Sequence, residues 1–217
     1  LIFETFSLSN DKIQFKMDIE FKISKKPLNY KKAIAFLEKR VNKVKKGGRE
    51  LVWFLEHQTT YTAGIRYKNN EIIDKSIKLI KTNRGGKITI HNPGQKIVYF
   101  VLNLNKRKKN IRNLVRQIEH IIIDFLKIYG INSYADKDNI GIWVNQKKIA
   151  AIGIRVSRWV AYHGFAINID NNLDDYLKII PCGLDNKKIT SIKNEGVRSF
   201  EIDKNLKNVF FKYLSKI

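Results

Sequence analysis

The hydrophobic pattern of the first part of the chain predicts a strand, a helix and a second strand. Apolar and polar residues alternate over residues 12–23, a period typical of a half-buried strand. After Asn29, a suitable N-cap residue, apolar residues recur at helical spacing until Gly47-Gly48 ends the pattern. Residues 51–55 are all apolar, which indicates a short buried strand.

Polar segments and strands alternate in the middle of the chain. Residues 56–66 are mostly polar and contain a glycine, so we expect a loop there. Residues 67–76 have the composition of a mobile connector. Residues 77–82 predict a strand that leads to Arg84, and the apolar run within residues 95–104 predicts another strand.

The second half of the chain combines amphipathic helices with closely spaced strands. Helices are predicted over residues 111–129 and 201–215, with a short helix between them in sequence at residues 173–177. Strands are predicted at residues 140–144, 148–156 and 159–169. This order predicts an α+β (mixed α/β) fold, in which helices flank a predominantly antiparallel mixed sheet. Because no linker or repeat interrupts the pattern, we expect a single domain over residues 1–217.

The composition is that of a globular chain. Hydrophobic residues make up 43% of the 217 positions. The longest apolar runs fall short of the roughly 18 to 20 residues of a membrane span. The first residue is Leu1, and the N-terminal residues do not have the pattern of a signal peptide. A single cysteine excludes an internal disulfide and a multi-cysteine metal site, so we expect a reducing, cytoplasmic location and no metal.

The formal net charge of +22 suggests a nucleic-acid-binding protein as one hypothesis. However, 32 of the 42 basic residues are lysines scattered along the chain, and they do not form a basic stripe interleaved with aromatic residues. We therefore expect no nucleic-acid partner. The charge should instead favour a salt-sensitive encounter with an acidic protein.

Residues 84–95 contain the first candidate site. Gly85 and Gly86 allow backbone N–H groups to face a ligand, and Thr89 and His91 fall on one face of the strand that follows. The segment predicts a strand wall beside a pocket that is reached through a glycine loop. An ordinary glycine turn between two strands is the alternative.

Cys182 is the candidate nucleophile. Most lone cysteines are small buried apolar residues, which is the alternative here. However, Pro181 fixes the backbone before the thiol and Gly183 frees the backbone after it, a sharp turn that suits presentation at a cleft.

Lys148 is the candidate partner of the thiol. It begins a strand of small and apolar residues, where a lysine is ordinarily solvated. An ammonium that is not fully solvated lowers the pKa of a nearby thiol, and its own pKa falls so that it can exchange protons. A Cys–Lys pair can therefore carry out acyl transfer without histidine. His163, followed by Gly164, is better explained as a structural histidine beside a narrow apolar slot.

Together these segments resemble the lipoyl(octanoyl) transferase family, from Glu56-His57 to Leu184. The elements that carry the resemblance are Arg84-Gly85-Gly86 with Thr89, His91 and Pro93-Gly94-Gln95; Lys148-Ile149-Ala150 with Gly153; His163-Gly164; and Pro181-Cys182-Gly183. The resemblance implies the fold of biotin and lipoate protein ligases and the transfer of an octanoyl group. It also implies that Cys182 forms the acyl-thioester, and that Lys148 lowers the pKa of the cysteine and handles protons.

The resemblance further implies substrate-binding residues and partners. The implied substrate-binding residues are Arg84, Gly85, Gly86, Lys87, Ile88, Thr89, Ile90, His91, Ala151, Ile152, Gly153, Gly164, Phe165 and Ala166. The implied donor is octanoyl-acyl carrier protein. The implied acceptors are lipoyl domains of 2-oxoacid dehydrogenase E2 subunits and the glycine cleavage H protein. We expect a monomer that needs no cofactor and does not associate with membranes.

Two residues depart from the family pattern. Asn92 stands where the family usually has a glycine before Pro93, and Ile90 stands where an aromatic residue is common. Both lie in the predicted pocket segment, so the pocket could differ in detailed shape from that of the family, while the chemistry would be the same. The nearest alternative function is an ATP-dependent lipoate or biotin ligase on the same fold, which needs no nucleophilic cysteine. An inactive family member is disfavoured because Cys182 and Lys148 are both present.

Overall fold

The computed structural model describes residues 18–180 and 189–217. Within these ranges the main sheet has seven strands: β1 (Ile19–Ile23), β2 (Glu50–Leu55), β6 (Gln95–Asn103), β7 (Tyr134–Ala135), β8 (Ile142–Val144), β9 (Lys147–Ser157) and β10 (Val160–Asn168). Their order is β1-β2-β6-β10-β9-β8-β7. β1 and β2 are parallel, and the other neighbouring pairs are antiparallel, which confirms the predicted sheet.

A smaller sheet in the described chain contains three strands, β3 (Thr60–Ala63), β4 (Leu79–Lys81) and β5 (Ile88–His91), in the order β4-β3-β5. The prediction of a loop over residues 56–66 is wrong where β3 forms. Threonine and tyrosine have high β-propensity, and Tyr61 and Ala63 are buried in this strand. The polarity of the segment concealed that preference.

Three helices within the described ranges flank the main sheet: α1 (Tyr30–Lys45), α2 (Ile111–Lys127) and α3 (Ile202–Leu214). The predicted N-cap is confirmed, since the Asn29 side chain accepts a hydrogen bond from the Lys32 N–H at 3.2 Å. Asn110 caps α2 in the same way, at 2.9 Å from the Asn113 N–H. None of these helices is long and apolar enough to cross a membrane.

The apolar run of β6 is explained by cores on both of its faces. Val98, Phe100 and Leu102 pack with residues of α2 and α3, whereas Tyr99 and Val101 pack with residues of α1. A strand buried on both faces reads as a continuous apolar run, because alternation appears only where one face is solvated. The fold is therefore the α+β arrangement that the sequence predicts.

The segment predicted as a mobile connector is anchored instead. Residues Asn69–Glu71 form a short 3-10 helix in which Glu71 is buried. The Glu71 carbonyl accepts the Ile180 N–H at 2.7 Å, and the N–H groups of Ile73 and Asp74 both donate to the Lys178 carbonyl at 3.0 Å. The connector thus holds the chain immediately before residue 181.

β8 and β9 are joined by a tight turn at Asn145 and Gln146, between the strands predicted at residues 140–144 and 148–156. Both residues are left-handed, with φ angles of 46° and 63°. This pair of positive φ angles matches the twist of the flanking strands in a two-residue hairpin.

Candidate active site

A pocket lies where the smaller sheet and the glycine loop face the centre of the main sheet. It encloses about 520 Å³ of space between atoms, part of it open to solvent. Its lining residues are Arg84, Gly85, Gly86, Lys87, Thr89, His91, Ile97, Tyr99, Ala151, Ile152, Gly153, His163, Gly164, Phe165 and Ala166. The ordinary glycine turn is therefore not the whole explanation of residues 84–95.

Glycines allow the backbone segments around this pocket to approach closely. A Cβ on Gly85 would lie 3.0 Å from the Ile154 carbonyl oxygen, and one on Gly164 would overlap the Val98 carbonyl oxygen. A Cβ on Gly153 would lie 3.4 Å from the Gly85 carbonyl oxygen. The slot is narrow because main chains, rather than side chains, form much of its wall.

Two of the implied substrate-binding residues do not line this pocket. Ile88 and Ile90 are fully buried on the opposite face of β5, in a cluster with Tyr61 and Ile179. Successive side chains of a strand point to opposite faces, so when Thr89 points into the pocket, Ile88 and Ile90 point away from it. The side chain that departs from the family pattern at position 90 therefore does not line the pocket.

Asn92 also lies outside the pocket. Its Nδ2 donates to the Asn172 carbonyl and to Asp175 Oδ2, both at 2.8 Å, and its Oδ1 accepts from Asn171 Nδ2 at 3.0 Å. The second departure from the family pattern thus ties the end of β5 to the short 3-10 helix at Asp174–Lys178.

Arg84 braces the glycine loop from inside. Its guanidinium is largely buried and donates through Nη2 to the carbonyl and the hydroxyl of Thr62, both at 2.8 Å. Nη1 donates to the Gly85 carbonyl at 3.0 Å. A Cβ on Gly64 would lie 2.7 Å from Nη1, so this glycine makes room for the arginine.

His91 and His57 form a buried polar layer beneath the pocket. His91 Nδ1 donates to Gln95 Oε1 at 2.7 Å, and burial, with a smaller effect of His57, lowers the pKa of His91 to about 3. His57 donates from Nδ1 to the Leu28 carbonyl at 3.1 Å and accepts from the Tyr99 hydroxyl at 2.9 Å. Burial lowers the pKa of His57 to about 4. Both rings are uncharged at neutral pH.

His163 has one partnered and one unpartnered nitrogen. Nε2 donates to Asn83 Oδ1 at 2.7 Å, whereas the buried Nδ1 has no hydrogen-bond partner within the described ranges. Burial, followed by the charges of Arg84 and Arg155, lowers the pKa of His163 to about 3. The imidazole is therefore neutral, with a lone pair on Nδ1.

Lys148 is buried rather than solvated, with 5% of its surface exposed. It lines a smaller cavity that adjoins the pocket, because Thr89, Ala151 and Ala166 line both spaces. The Lys148 ammonium lies 5.1 Å from the centroid of the Trp143 ring, a cation–π distance. A Cβ on Gly141 would lie 2.5 Å from Lys148 Cε, so the lysine side chain runs through the space that this glycine leaves.

Cys182 lies outside the described residues, as do its neighbours Pro181 and Gly183. The described chain resumes at Ile189, which forms a parallel bridge with Lys148. The Thr190 N–H donates to the Lys148 carbonyl at 3.0 Å. The expected meeting of Cys182 and Lys148 remains a prediction.

Two polar residues of the smaller cavity were not identified from the sequence. Asn168 and Tyr176 line it together with Gln95, whose Nε2 lies 2.9 Å from both Asn168 Oδ1 and the Tyr176 hydroxyl. The signal for Asn168 was present in the sequence, because this asparagine ends the run of small and apolar residues from Gly164 to Ile167. Tyr176 gave no such signal, since a tyrosine in a short helix is ordinarily a packing residue.

In the described part of the chain, histidine, cysteine, aspartate and glutamate side chains do not cluster in a way that could hold a metal ion. The glycine loop does contact one acidic residue, Glu71, whose Oε1 lies 3.0 Å from Lys87 Nζ.

The chain matches known proteins over most of its length. The family model of the lipoyl protein ligase A/B catalytic domain matches residues 29–214. An octanoyltransferase of Wolbachia sp. subsp. Brugia malayi is 43% identical over 202 residues, covering 89% of this chain and 98% of the relative. An octanoyltransferase of Ehrlichia chaffeensis is 44% identical over 186 residues, covering 82% and 87% respectively.

Solved structures with a similar fold include lipoate and biotin protein ligases. A putative lipoate protein ligase from T. acidophilum with bound lipoic acid has a TM-score of 0.76 at 16% identity, covering 91% of this chain and 86% of its own. A biotin protein ligase from Leishmania major in complex with biotin has a TM-score of 0.56 at 14% identity, covering 92% and 73%. At these identities the likeness shows the fold alone.

Proposed function

Because the chain belongs to the lipoyl protein ligase A/B catalytic domain family, we propose that it is an octanoyltransferase. It moves an octanoyl group from octanoyl-acyl carrier protein to a lysine of lipoyl domains, through a thioester on Cys182. The names of its curated relatives support the reaction. The single structural observation that supports the mechanism is the burial of Lys148 beside a narrow, backbone-lined pocket.

The first half of the reaction transfers the acyl group to the enzyme. The Cys182 thiolate, stabilised by the Lys148 ammonium, attacks the thioester carbonyl of the donor. The new C–S bond forms as the bond to the carrier's sulfur breaks, and the Lys148 ammonium gives its proton to the departing thiolate. One thioester replaces another, so the step needs no ATP.

The second half transfers the acyl group to the acceptor. The amine of the target lysine attacks the thioester on Cys182, and the neutral Lys148 amine takes the proton that the attacking nitrogen loses. The C–S bond breaks, which restores the thiolate and the ammonium, and the amide is the more stable product. The alkyl chain lies against the small residues of β9 and β10, among them Ala151, Gly153 and Gly164.

Lipoyl domains are the acceptor class that the family implies. Those of 2-oxoacid dehydrogenase E2 subunits and the glycine cleavage H protein are the specific acceptors we propose. A structural neighbour from Thermoplasma acidophilum is a bi-partite lipoate protein ligase of an archaeal lipoylation system that includes its E2 lipoyl domain, which supports this class. Acidic carrier proteins and acidic lipoyl domains would be attracted electrostatically to a chain with a net charge of +22. We further propose that the chain acts in the cytoplasm as a single-domain monomer.

Intact-mass spectrometry tests the proposal directly. Incubation with octanoyl-acyl carrier protein should add one octanoyl group to the enzyme, and Cys182→Ala should abolish the adduct. Lys148→Ala should slow adduct formation by at least tenfold at neutral pH, since an opposite charge nearby shifts a thiol pKa by about one unit or more. Acyl transfer that occurs only with ATP would decide for the ligase alternative, whose fold this chain shares.

A further inference from the structure

Asn168 joins three parts of the fold through one buried amide. It is the last residue of β10 and is 4% exposed. Its Oδ1 accepts from Gln95 Nε2 at 2.9 Å and from the Tyr176 hydroxyl at 3.3 Å. Its Nδ2 donates to the Thr190 carbonyl at 2.9 Å. Each of these contacts is made inside the protein, where an unmade hydrogen bond is costly.

Two of the three partners flank residues 181–188. Tyr176 lies in the 3-10 helix Asp174–Lys178 that precedes this segment, and Thr190 is the second residue after it. The backbone repeats the connection, because the Ile192 N–H donates to the Asn168 carbonyl at 3.1 Å. The Asn168 side chain is therefore hydrogen-bonded to a segment before the proposed nucleophile and to a segment after it.

The same side chain is connected to Lys148. Thr190, which accepts from Asn168, donates its own N–H to the Lys148 carbonyl at 3.0 Å. Asn168 and Lys148 also line the same small cavity. A displacement of the segment at Thr190 would therefore be expected to change the distance between Lys148 and the proposed nucleophile, Cys182.

We propose, resting on the proposed function, that Asn168 is the positioning residue that keeps Cys182 beside Lys148. It makes no contact with the reacting atoms in this role. It acts by holding the two chain segments that flank residues 181–188 against the strand that begins at Lys147. Loss of the amide therefore weakens the influence of the Lys148 ammonium on the thiol, in addition to any loss of stability.

The pH profile of alkylation tests this role, because Cys182 is the only cysteine in the chain. The rate of carboxamidomethylation by iodoacetamide, followed by intact mass between pH 5 and 10, reports the thiolate fraction of that residue alone. Lys148→Ala should move the profile to higher pH and slow the reaction about tenfold at pH 7. Asn168→Ala should move it in the same direction, and the double variant should move it little further than Lys148→Ala.

Two companion variants separate positioning from folding. Tyr176→Phe keeps the ring and removes only the hydroxyl that Asn168 accepts from, so it should shift the profile in the same direction by two- to threefold in rate. Asn205→Ala is the matched control, since the Asn205 amide donates to the Tyr129 hydroxyl and the Phe200 carbonyl, away from either cavity. It should leave the profile unchanged.

The outcomes distinguish the two proposals. If Asn168→Ala lowers the melting temperature but retains the wild-type profile, the residue is merely structural and the positioning role is overturned. If Asn168→Ala does not fold, a wild-type profile for Tyr176→Phe overturns it equally. If Lys148→Ala itself retains the wild-type profile, the proposed Cys–Lys pair fails, and the role of Asn168 falls with it.

Discussion

At the scale of single residues, the burial of Lys148 depends on the absence of a Cβ at Gly141. Gly141 has a φ of +142° and no Cβ, and the lysine side chain runs through the resulting space towards the Trp143 ring. The indole is fixed in turn, because its Nε1 donates to the Asn139 carbonyl at 3.0 Å. A long flexible side chain is thereby confined to one position.

Replacing this glycine should displace the Lys148 side chain and impair the chemistry. In Gly141→Ala the new Cβ would lie 2.5 Å from Lys148 Cε and 2.6 Å from the Ala150 carbonyl oxygen. We expect the rate of octanoyl adduct formation to fall at least tenfold, measured by intact mass. Gly196→Ala is the control, since Gly196 also has a positive φ but has open space around its Cβ position. It should cost about 1 kcal/mol of stability and leave the adduct rate intact. Equal adduct rates in the two variants would contradict the explanation.

The residue scale also shows where sequence reasoning stops. The glycine loop at Gly85 and Gly86 could be identified from the sequence, because close backbone approach requires glycine, whereas the full set of pocket residues came from the family resemblance. Ile88 and Ile90 were included with their neighbours, although strand alternation alone would have turned them away from Thr89. The contacts of Asn168 with Tyr176 and Thr190 could not be predicted, since hydrogen bonds between distant segments leave no local pattern.

At the scale of elements, the helices were predicted closely, and so were β4 and β5 of the smaller sheet, whereas β3 was missed. Asn29 and Asn110, the N-cap residues of α1 and α2, are of a residue type that favours this position. The helical periodicity of apolar residues in α1 and α2 is also long enough to be unambiguous. β3 is short and polar at its start, and its partners β4 and β5 come later in the sequence. The connector at residues 67–76 is anchored by backbone groups of residues 178 and 180, which no composition reveals.

The hairpin between β8 and β9 offers a gain in stability. Asn145 suits its left-handed conformation, but Gln146 adopts a φ of 63° at a cost that glycine would not have. Gln146→Gly should therefore raise the free energy of unfolding by about 0.5 to 1 kcal/mol, measured by urea denaturation. Gln146→Ala, which keeps a Cβ, should give no gain. A loss of stability in the glycine variant would show that the Gln146 side chain makes a stabilising contact.

At the scale of the whole molecule, stability should fall in mild acid. Burial lowers the pKa of His57 to about 4 and the pKa values of His91 and His163 to about 3, below the ordinary 6.5. The stability that the three uncharged histidines provide is fully present above pH 6.5. It is lost as the pH falls from 6.5 towards their pKa values in the folded protein, because the unfolded chain binds protons first. Each histidine should cost about 2 kcal/mol at pH 5.

Urea denaturation at pH 7 and pH 5 measures this loss. A total of several kcal/mol is a large fraction of the roughly 5 to 15 kcal/mol of a typical domain. His57→Gln, whose amide takes up no proton, should reduce the difference between the two pH values by about 2 kcal/mol. Equal stability of the wild-type protein at pH 7 and pH 5 would contradict the assignment.

The strand order also determines when the site can exist during synthesis. β6 leaves the ribosome well before its neighbour β10, which begins about 60 residues after β6 ends, so at about 5 to 20 residues per second the delay is about 3 to 12 s. Throughout that interval the nascent chain carries an apolar central strand with one unpaired edge. A chaperone that shields this edge would therefore act before any part of the pocket is complete.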